Sequence, residues 1–119
     1  MAPNLLIVES DPVVAMDLSQ ILGGWLPQGV ISVFSNLAEA DAALKALIKP
    51  FVAVVNVTGH EIDAARDEGL LIALSDHVLL MVDTAEQIEP FPDNCILVQR
   101  PYTSDTLNHA LIRVDASQY

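Results

Sequence analysis

Leu5-Leu6-Ile7-Val8-Glu9-Ser10-Asp11-Pro12 decides how this chain is read: an unbroken apolar run, then two carboxylates flanking a hydroxyl, then a proline. Apolar residues without polar alternation mark a β-strand covered on both faces. Pro12 fixes φ near the helical value and suits an opening turn. A helix is therefore expected at once, with Val14, Leu18, Ile21 and Trp25 along one face and Gly23-Gly24 weakening its end.

The same unit recurs outward from there. Short apolar runs return at Val30 to Phe34, Phe51 to Val57, Val78 to Val82 and Cys95 to Val98, and these are the remaining strands. Between them, Leu37, Ala40, Leu44, Leu47 and Ile48 form one helical stripe, with Asp41 and Lys45 toward the polar side. Asn36 and Glu39 have the spacing of a capping box, and Pro50 follows the end. A third helix is expected from about Ile62 to Leu74, and a last one from about Ser104 to Val114 with Leu107, Leu111 and Val114 inward. Between Thr84 and Asn94, Pro90 and Pro92 permit only a short helical piece near Thr84 to Ile88. The expectation is an α/β fold: a flavodoxin-like three-layer sandwich around a five-stranded parallel sheet ordered 2-1-3-4-5, with a degenerate fourth helix. No repeat and no linker interrupts it, so residues 1–119 are expected to be a single domain.

Composition narrows the function. Apolar residues make up 52% and charged residues 18% of the 119 positions, enough apolar material for one core. A formal charge of -11 repels phosphate backbones and anionic lipid, so neither nucleic acid nor a membrane surface is an expected partner. The lone Cys95 has no internal disulfide partner, and beside Ile96, Leu97 and Val98 it reads as a core thiol in a reducing cytoplasm. The N-terminus lacks Lys and Arg, and the Leu5 to Val8 run is too short for a signal peptide or membrane span.

In a sheet of this order the ligand crevice lies beyond the carboxyl ends of strands one and three. The residues there are Glu9 to Asp11 and Asn56 to His60. Carboxylates at a strand end suit a hard cation such as Mg²⁺, whereas the missing glycine-rich turn and the negative charge argue against a flavin or dinucleotide.

Taken with the Val52 to Asn56 strand and Gln99-Arg100-Pro101-Tyr102, the opening stretch resembles the signature regions of a CheY-like response-regulator receiver domain, in matching order and spacing. The resemblance implies a fixed chemistry. A histidine kinase passes a phosphoryl group to an Asp ending strand three, and an acidic pair after strand one holds Mg²⁺. A Thr or Ser ends strand four, and a Lys precedes a Pro after strand five. The carboxylate is the nucleophile, while metal and Lys neutralise charge on the transferring group.

Nearly every reactive position departs from that pattern. The phospho-acceptor position is Asn56, a neutral amide and a very poor nucleophile. The acidic pair becomes Glu9-Ser10, and Asp11, one position on, points elsewhere on an extended segment, so Mg²⁺ binding is expected to be weak or absent. The strand-four hydroxyl position falls on Val82 or Asp83, and the Lys position is Arg100, whose planar fork favours bidentate pairing. The expectation is that Arg100 spans toward Glu9 or Asp11 and takes the cation's place. Together these changes describe natural loss of phosphotransfer, a pseudo-receiver, rather than a single engineered acceptor substitution.

Tyr102 occupies the family's aromatic switch position and is expected to be a packing aromatic. His60, His77 and His109 have no metal-ligand spacing. Val13 and Met16 fall off the first helix's core stripe, Ile72 off the third and Ile112 off the last. Because receivers dock partners beside the first helix or through the last, Val13, Met16 and Ile112 are candidate partner-binding residues. The resemblance implies a cytoplasmic, non-enzymatic module of two-component signalling that acts as adaptor, decoy or dimerisation unit. Its partner is a histidine kinase, a phosphotransfer protein, another signalling protein or a second copy of itself. One alternative is a divergent receiver modified or metal-bound at an unusual residue such as Thr58, Asp11 or a His. Another is a small flavodoxin-like ligand binder or enzyme using Glu9, Asp11 and Asn56.

Overall fold

The computed structural model describes residues 3–44, 49–83 and 91–114. Strands β1 (Asn4–Val8), β2 (Val30–Phe34), β3 (Val52–Val55), β4 (His77–Val82) and β5 (Cys95–Gln99) form one parallel sheet in the order β2-β1-β3-β4-β5. The helices are α1 (Pro12–Trp25), α2 (Leu37–Leu44), α3 (Gly59–Asp67), α4 (Leu70–Leu74) and α5 (Ser104–Ile112).

The pleat explains why the strands are apolar throughout. Leu5, Ile7, Val52, Val54, Leu79, Met81 and Val98 point to one face, where they meet Leu18 and Leu22 of α1 and Leu107, Ala110 and Leu111 of α5. Leu6, Val8, Ala53, Val55, Val78, Leu80 and Val82 point to the other and meet Leu37 and Ala40 of α2, Ile62 and Ala65 of α3, and Leu71 and Leu74 of α4. With a core layer on each side, polar alternation has no place in β1, β3 or β4.

Local chemistry sets the helix starts. The Asp11 carboxylate accepts from Val13 N at 2.9 Å and caps α1, with Pro12 in its first turn. Asn36 Oδ1 accepts from Glu39 N at 2.9 Å, but Glu39 Oε2 accepts from Ser35 N at 3.0 Å, so the predicted capping box closes one residue early. Thr58 caps α3, and Thr103 with Thr106 forms a capping box on α5.

Several boundaries differ from expectation. The third helix is two: Gly69 adopts φ 73, a left-handed conformation that ends α3, with its N–H donating to Arg66 O at 3.0 Å, before α4 begins. The β3 ladder covers Val52–Val55 rather than Phe51 to Val57, with Phe51 N and Asn56 N each donating to β1 just beyond its ends. The α1 stripe is rotated, with Ala15, Leu18 and Leu22 buried deepest while Val14, Ile21 and Trp25 pack half-buried at its margin. Cys95 is half-buried rather than a full core residue. Leu47 and Ile48 of the predicted second helix, and the piece predicted near Thr84 to Ile88, lie outside the described residues.

At the amino ends of the strands, polar side chains replace the ladder. Buried Ser75 Oγ donates to Pro50 O at 3.0 Å, and Asn94 Nδ2 donates to both Leu71 O and Ser75 O at 3.0 Å. These bonds hold the loop before β5 against α4 and leave the carboxyl ends of the strands to build the site. Among the described residues, no helix is long and apolar enough to cross a membrane.

Candidate functional site

Backbone bonds continue just past the strand ends and fix three side chains over the sheet. Glu9 N donates to Phe34 O at 2.8 Å, Asn56 N to Val8 O at 2.9 Å, and Arg100 N to Val82 O at 2.8 Å. Each residue is thereby held on the sheet rather than free in a loop, although they are separated widely in sequence.

Their side chains form one chain of hydrogen bonds. Asn56 Nδ2 donates to Glu9 Oε1 at 2.7 Å, and Arg100 Nε donates to Asn56 Oδ1 at 2.8 Å. Arg100 also donates to Asp83 Oδ1 at 2.9 Å and to the carbonyl of Val57. The amide orientation is dictated by its neighbours: reversed, its oxygen would face a carboxylate and its NH₂ a guanidinium. Glu9 is 7% exposed, and among the described residues its acceptor contacts besides Asn56 come down to a 3.4 Å contact from Asp11 N. A carboxylate this buried depends on those donors.

The structure corrects the expected pairing of Arg100. No ion pair joins it to Glu9 or Asp11 among the described residues; Asn56 stands between, and the direct ionic partner is Asp83. The physical reason is the amide's two-sidedness: Asn56 presents a donor to Glu9 and an acceptor to Arg100 at once, while the Asp11 carboxylate turns to the α1 N-terminus. The sequence places Asp83 only at the end of strand four; its pairing depends on Arg100 reaching back across the sheet. Ser10 is exposed, and Val82 is buried inside β4 opposite Gln99.

The same geometry answers whether Mg²⁺ fits. Its ligands would be carboxylate and amide oxygens, yet Glu9 Oε1, Asn56 Oδ1, Asp11 Oδ1 and Asp83 Oδ1 each accept an N–H. Arg100 bonds two of these oxygens, Asn56 Oδ1 and Asp83 Oδ1, so a fixed cation already uses them and the donor set fits Mg²⁺ poorly. Among the described residues, no cluster of three or more His, Cys, Asp or Glu is arranged for a metal. His60 and His109 are exposed, and His77 packs edge-on against Phe51, with centroids 5.3 Å apart.

Beyond Arg100 a cis peptide leads into Pro101, and Tyr102 turns back over the first core layer. Its hydroxyl donates to Asp17 Oδ2 at 2.6 Å, joining the segment after β5 to α1. Burial, followed by the hydrogen bond and charge of Asp17 and the charge of Glu9, pushes the Tyr102 phenol above its ordinary range. Sequence reading missed this tether, since Asp17 on α1 carries no motif. Val14, Asn56, Arg100, Pro101 and Tyr102 line an open cleft of about 460 Å³.

Val13, Met16 and Ile112 are exposed, at 71%, 58% and 75%, on α1 and α5, which pack beside one another. Ile72 is exposed on α4.

Comparison with family profiles and with curated proteins gives no match. Solved structures do match. The response regulator PhyR from Brucella abortus superimposes with a TM-score of 0.67 at 22% identity, over 99% of this chain and 51% of that one. A PhyR stress response regulator gives 0.64 at 22%, over 96% and 45%, and the anti-anti-sigma factor PhyR from Bartonella quintana gives 0.57 at 22%, over 99% and 51%. The chain thus spans about half the length of the structures it matches. With the sheet order β2-β1-β3-β4-β5 and the helices on both faces, it has the CheY-like receiver fold found in response regulators.

Proposed function

We propose that this chain is a receiver-fold signalling module that carries no phosphoryl group at position 56 and works by binding another protein, not as an enzyme. The Arg100–Asn56–Glu9 chain of hydrogen bonds carries the reading. Asn56 is a poor nucleophile at the position where the receiver resemblance expects a carboxylate, and the Arg100 guanidinium is tethered beside it. In this reading the surface presented to a partner is constitutive rather than triggered by phosphorylation.

Thr58 Oγ1 and the Asp11 carboxylate are both engaged as helix caps, of α3 and α1. Val13, Met16 and Ile112 are the apolar residues that such a module would offer a kinase, phosphotransfer protein or other signalling protein. The similar structures are named as a stress response regulator and an anti-anti-sigma factor, both roles exercised within signalling.

The test is a ¹⁵N NMR titration of the chain with Mg²⁺, following the side-chain NH₂ of Asn56 and the backbone amides of Asp11, Val57 and Arg100. The expected result is no saturable shift at millimolar Mg²⁺. A saturable shift shared by these groups means the pocket opens to a cation, and overturns the closed-pocket reading.

A further inference from the structure

From Leu18 to Ala38 the chain carries no Asp, Glu, Lys or Arg, although its net charge is -11. In the fold this stretch is the second half of α1, all of β2 and the start of α2, which together make one flank of the sandwich. β2 is the edge strand there, and its sequence Val30-Ile31-Ser32-Val33-Phe34 has none of the charges, prolines or bulges that usually guard an edge. Val30 is 53% and Val33 46% exposed.

The hydrogen-bond directions along β2 follow from its two ends. Val30 N donates to Pro3 O at 2.9 Å, and Phe34 O accepts from Glu9 N at 2.8 Å, so Val30, Ser32 and Phe34 aim their backbone groups at β1. Strand alternation then aims the N–H and C=O of Ile31 and Val33 outward. On either side the outward N–H groups are satisfied within the chain: Gly29 N donates to Leu26 O at 3.0 Å, and Ser35 N to Glu39 Oε2 at 3.0 Å. Among the described residues, only the central part of the edge is left open.

We propose that this edge pairs with the same edge of a second copy, β2 against β2 in antiparallel sense about a twofold axis at Ser32. In that register Ile31 of one copy lies opposite Val33 of the other, and both exchange N–H···O=C bonds. Val30 lies opposite Phe34, so every cross-strand pair flanking Ser32 is apolar on both faces of the extended sheet. Charge selects the occupant. Copies bearing -11 each repel through most of their surface, whereas residues 18–38 bring no charge of their own to this flank, which is bounded in sequence by Asp17 and Glu39. A basic partner would instead seek the acidic faces. The Glu39 carboxylates, one at each end of the paired strands, lie on opposite sides of the axis. Glu9, Asn56 and Arg100 take no part, so the pairing and the closed pocket stand or fall separately.

Sedimentation velocity over a concentration series tests it, with Val33→Lys and, separately, Val33→Pro. Lysine replaces an exposed side chain, and proline removes an N–H that points away from β1; circular dichroism confirms that each variant is folded. The expected result is a concentration-dependent dimer of the natural chain, with self-association weakened at least tenfold in both variants and unchanged in Ile112→Glu. Wild-type chain that stays monomeric at its highest soluble concentration overturns the proposal. So does a dimer that survives both β2 variants, or one dissolved by Ile112→Glu, as does an edge that slows amide exchange at Ile31 and Val33 only when a neutral extended peptide is added.

Discussion

Arg100 and Glu9 are coupled without touching. The guanidinium Nε reaches Asn56 Oδ1 at 2.8 Å, and Asn56 Nδ2 reaches Glu9 Oε1 at 2.7 Å, so one amide passes the influence of a cation to a buried carboxylate. A carboxylate at position 56 would put two like charges side by side, and an apolar residue would leave both ends unsatisfied. Asparagine fits this place because it is the same size as aspartate and carries both a donor and an acceptor.

The coupling sets the cost of losing the amide. Asn56→Leu leaves Glu9 buried with its closest donor gone, and is expected to destabilise the chain by about 1–3 kcal/mol. Urea unfolding at neutral pH measures it. A change smaller than about 0.5 kcal/mol, the usual range for an inconsequential surface substitution, would mean that Glu9 does not depend on Asn56.

The two ends of Arg100 differ in weight. Its Asp83 partner has a side chain 82% exposed, so Asp83→Asn is expected to cost under about 1 kcal/mol, as solvent and salt screen the pair. Arg100→Lys keeps the charge but not the planar fork that reaches Asn56, Asp83 and Val57 together, and is expected to cost more, roughly 1–2 kcal/mol. Thermal unfolding of both variants in low and high salt separates them. The Asp83→Asn difference fades with salt, and the Arg100→Lys difference persists.

Alkaline pH acts through Tyr102. Its phenol is raised in the folded chain by burial and by Asp17, while the unfolded chain ionises near the ordinary value of about 10. Above that value the folded state holds the proton longer, so stability is present below the unfolded pKa and is lost as pH rises through the window above it. Cys95, pushed up to about 11 by burial from an ordinary 9.0, contributes with the same sign starting about two units lower than its folded value. Melting temperatures from pH 8 to 11 are expected to fall less steeply for Tyr102→Phe than for the natural chain. An equal slope would show that the Tyr102 phenol is not raised in the folded chain.

Cys95 also gives a chemical readout. A thiol raised to about 11 is almost wholly protonated at pH 8, so its alkylation by iodoacetamide is expected to be on the order of a hundredfold slower than in the urea-unfolded chain. Mass spectrometry of timed samples follows it, and native alkylation as fast as in urea would place the sulfur in open solvent.

Much of this was legible in the residues because the sheet imposes a simple rule. Strands buried on both faces must be apolar at every position, so β1, β3 and β4 stood out, and helices between them forced the parallel order. The helix break at Gly69 was less visible: apolar spacing continues from Ile62 through Leu74, and a single left-handed residue interrupts the backbone without disturbing that periodicity. At the site, position along the chain located Glu9, Asn56 and Arg100, but not who bonds whom. Direct attraction between Arg100 and Glu9 is the obvious guess from charge alone. The intervening amide, the Asp83 pairing and the Tyr102–Asp17 bond depend on how far each side chain reaches across the sheet, which periodicity does not encode.

Phosphotransfer itself is the most direct test. The natural chain and Asn56→Asp are incubated with Mg²⁺ and acetyl phosphate, and intact mass is read for each. The account predicts no phosphoryl adduct on the natural chain. An adduct on Asn56→Asp alone would show a pocket intact apart from its nucleophile, and no adduct on either would show that Ser10 and Arg100 close it as well. A phosphoryl adduct on the natural chain would contradict the account.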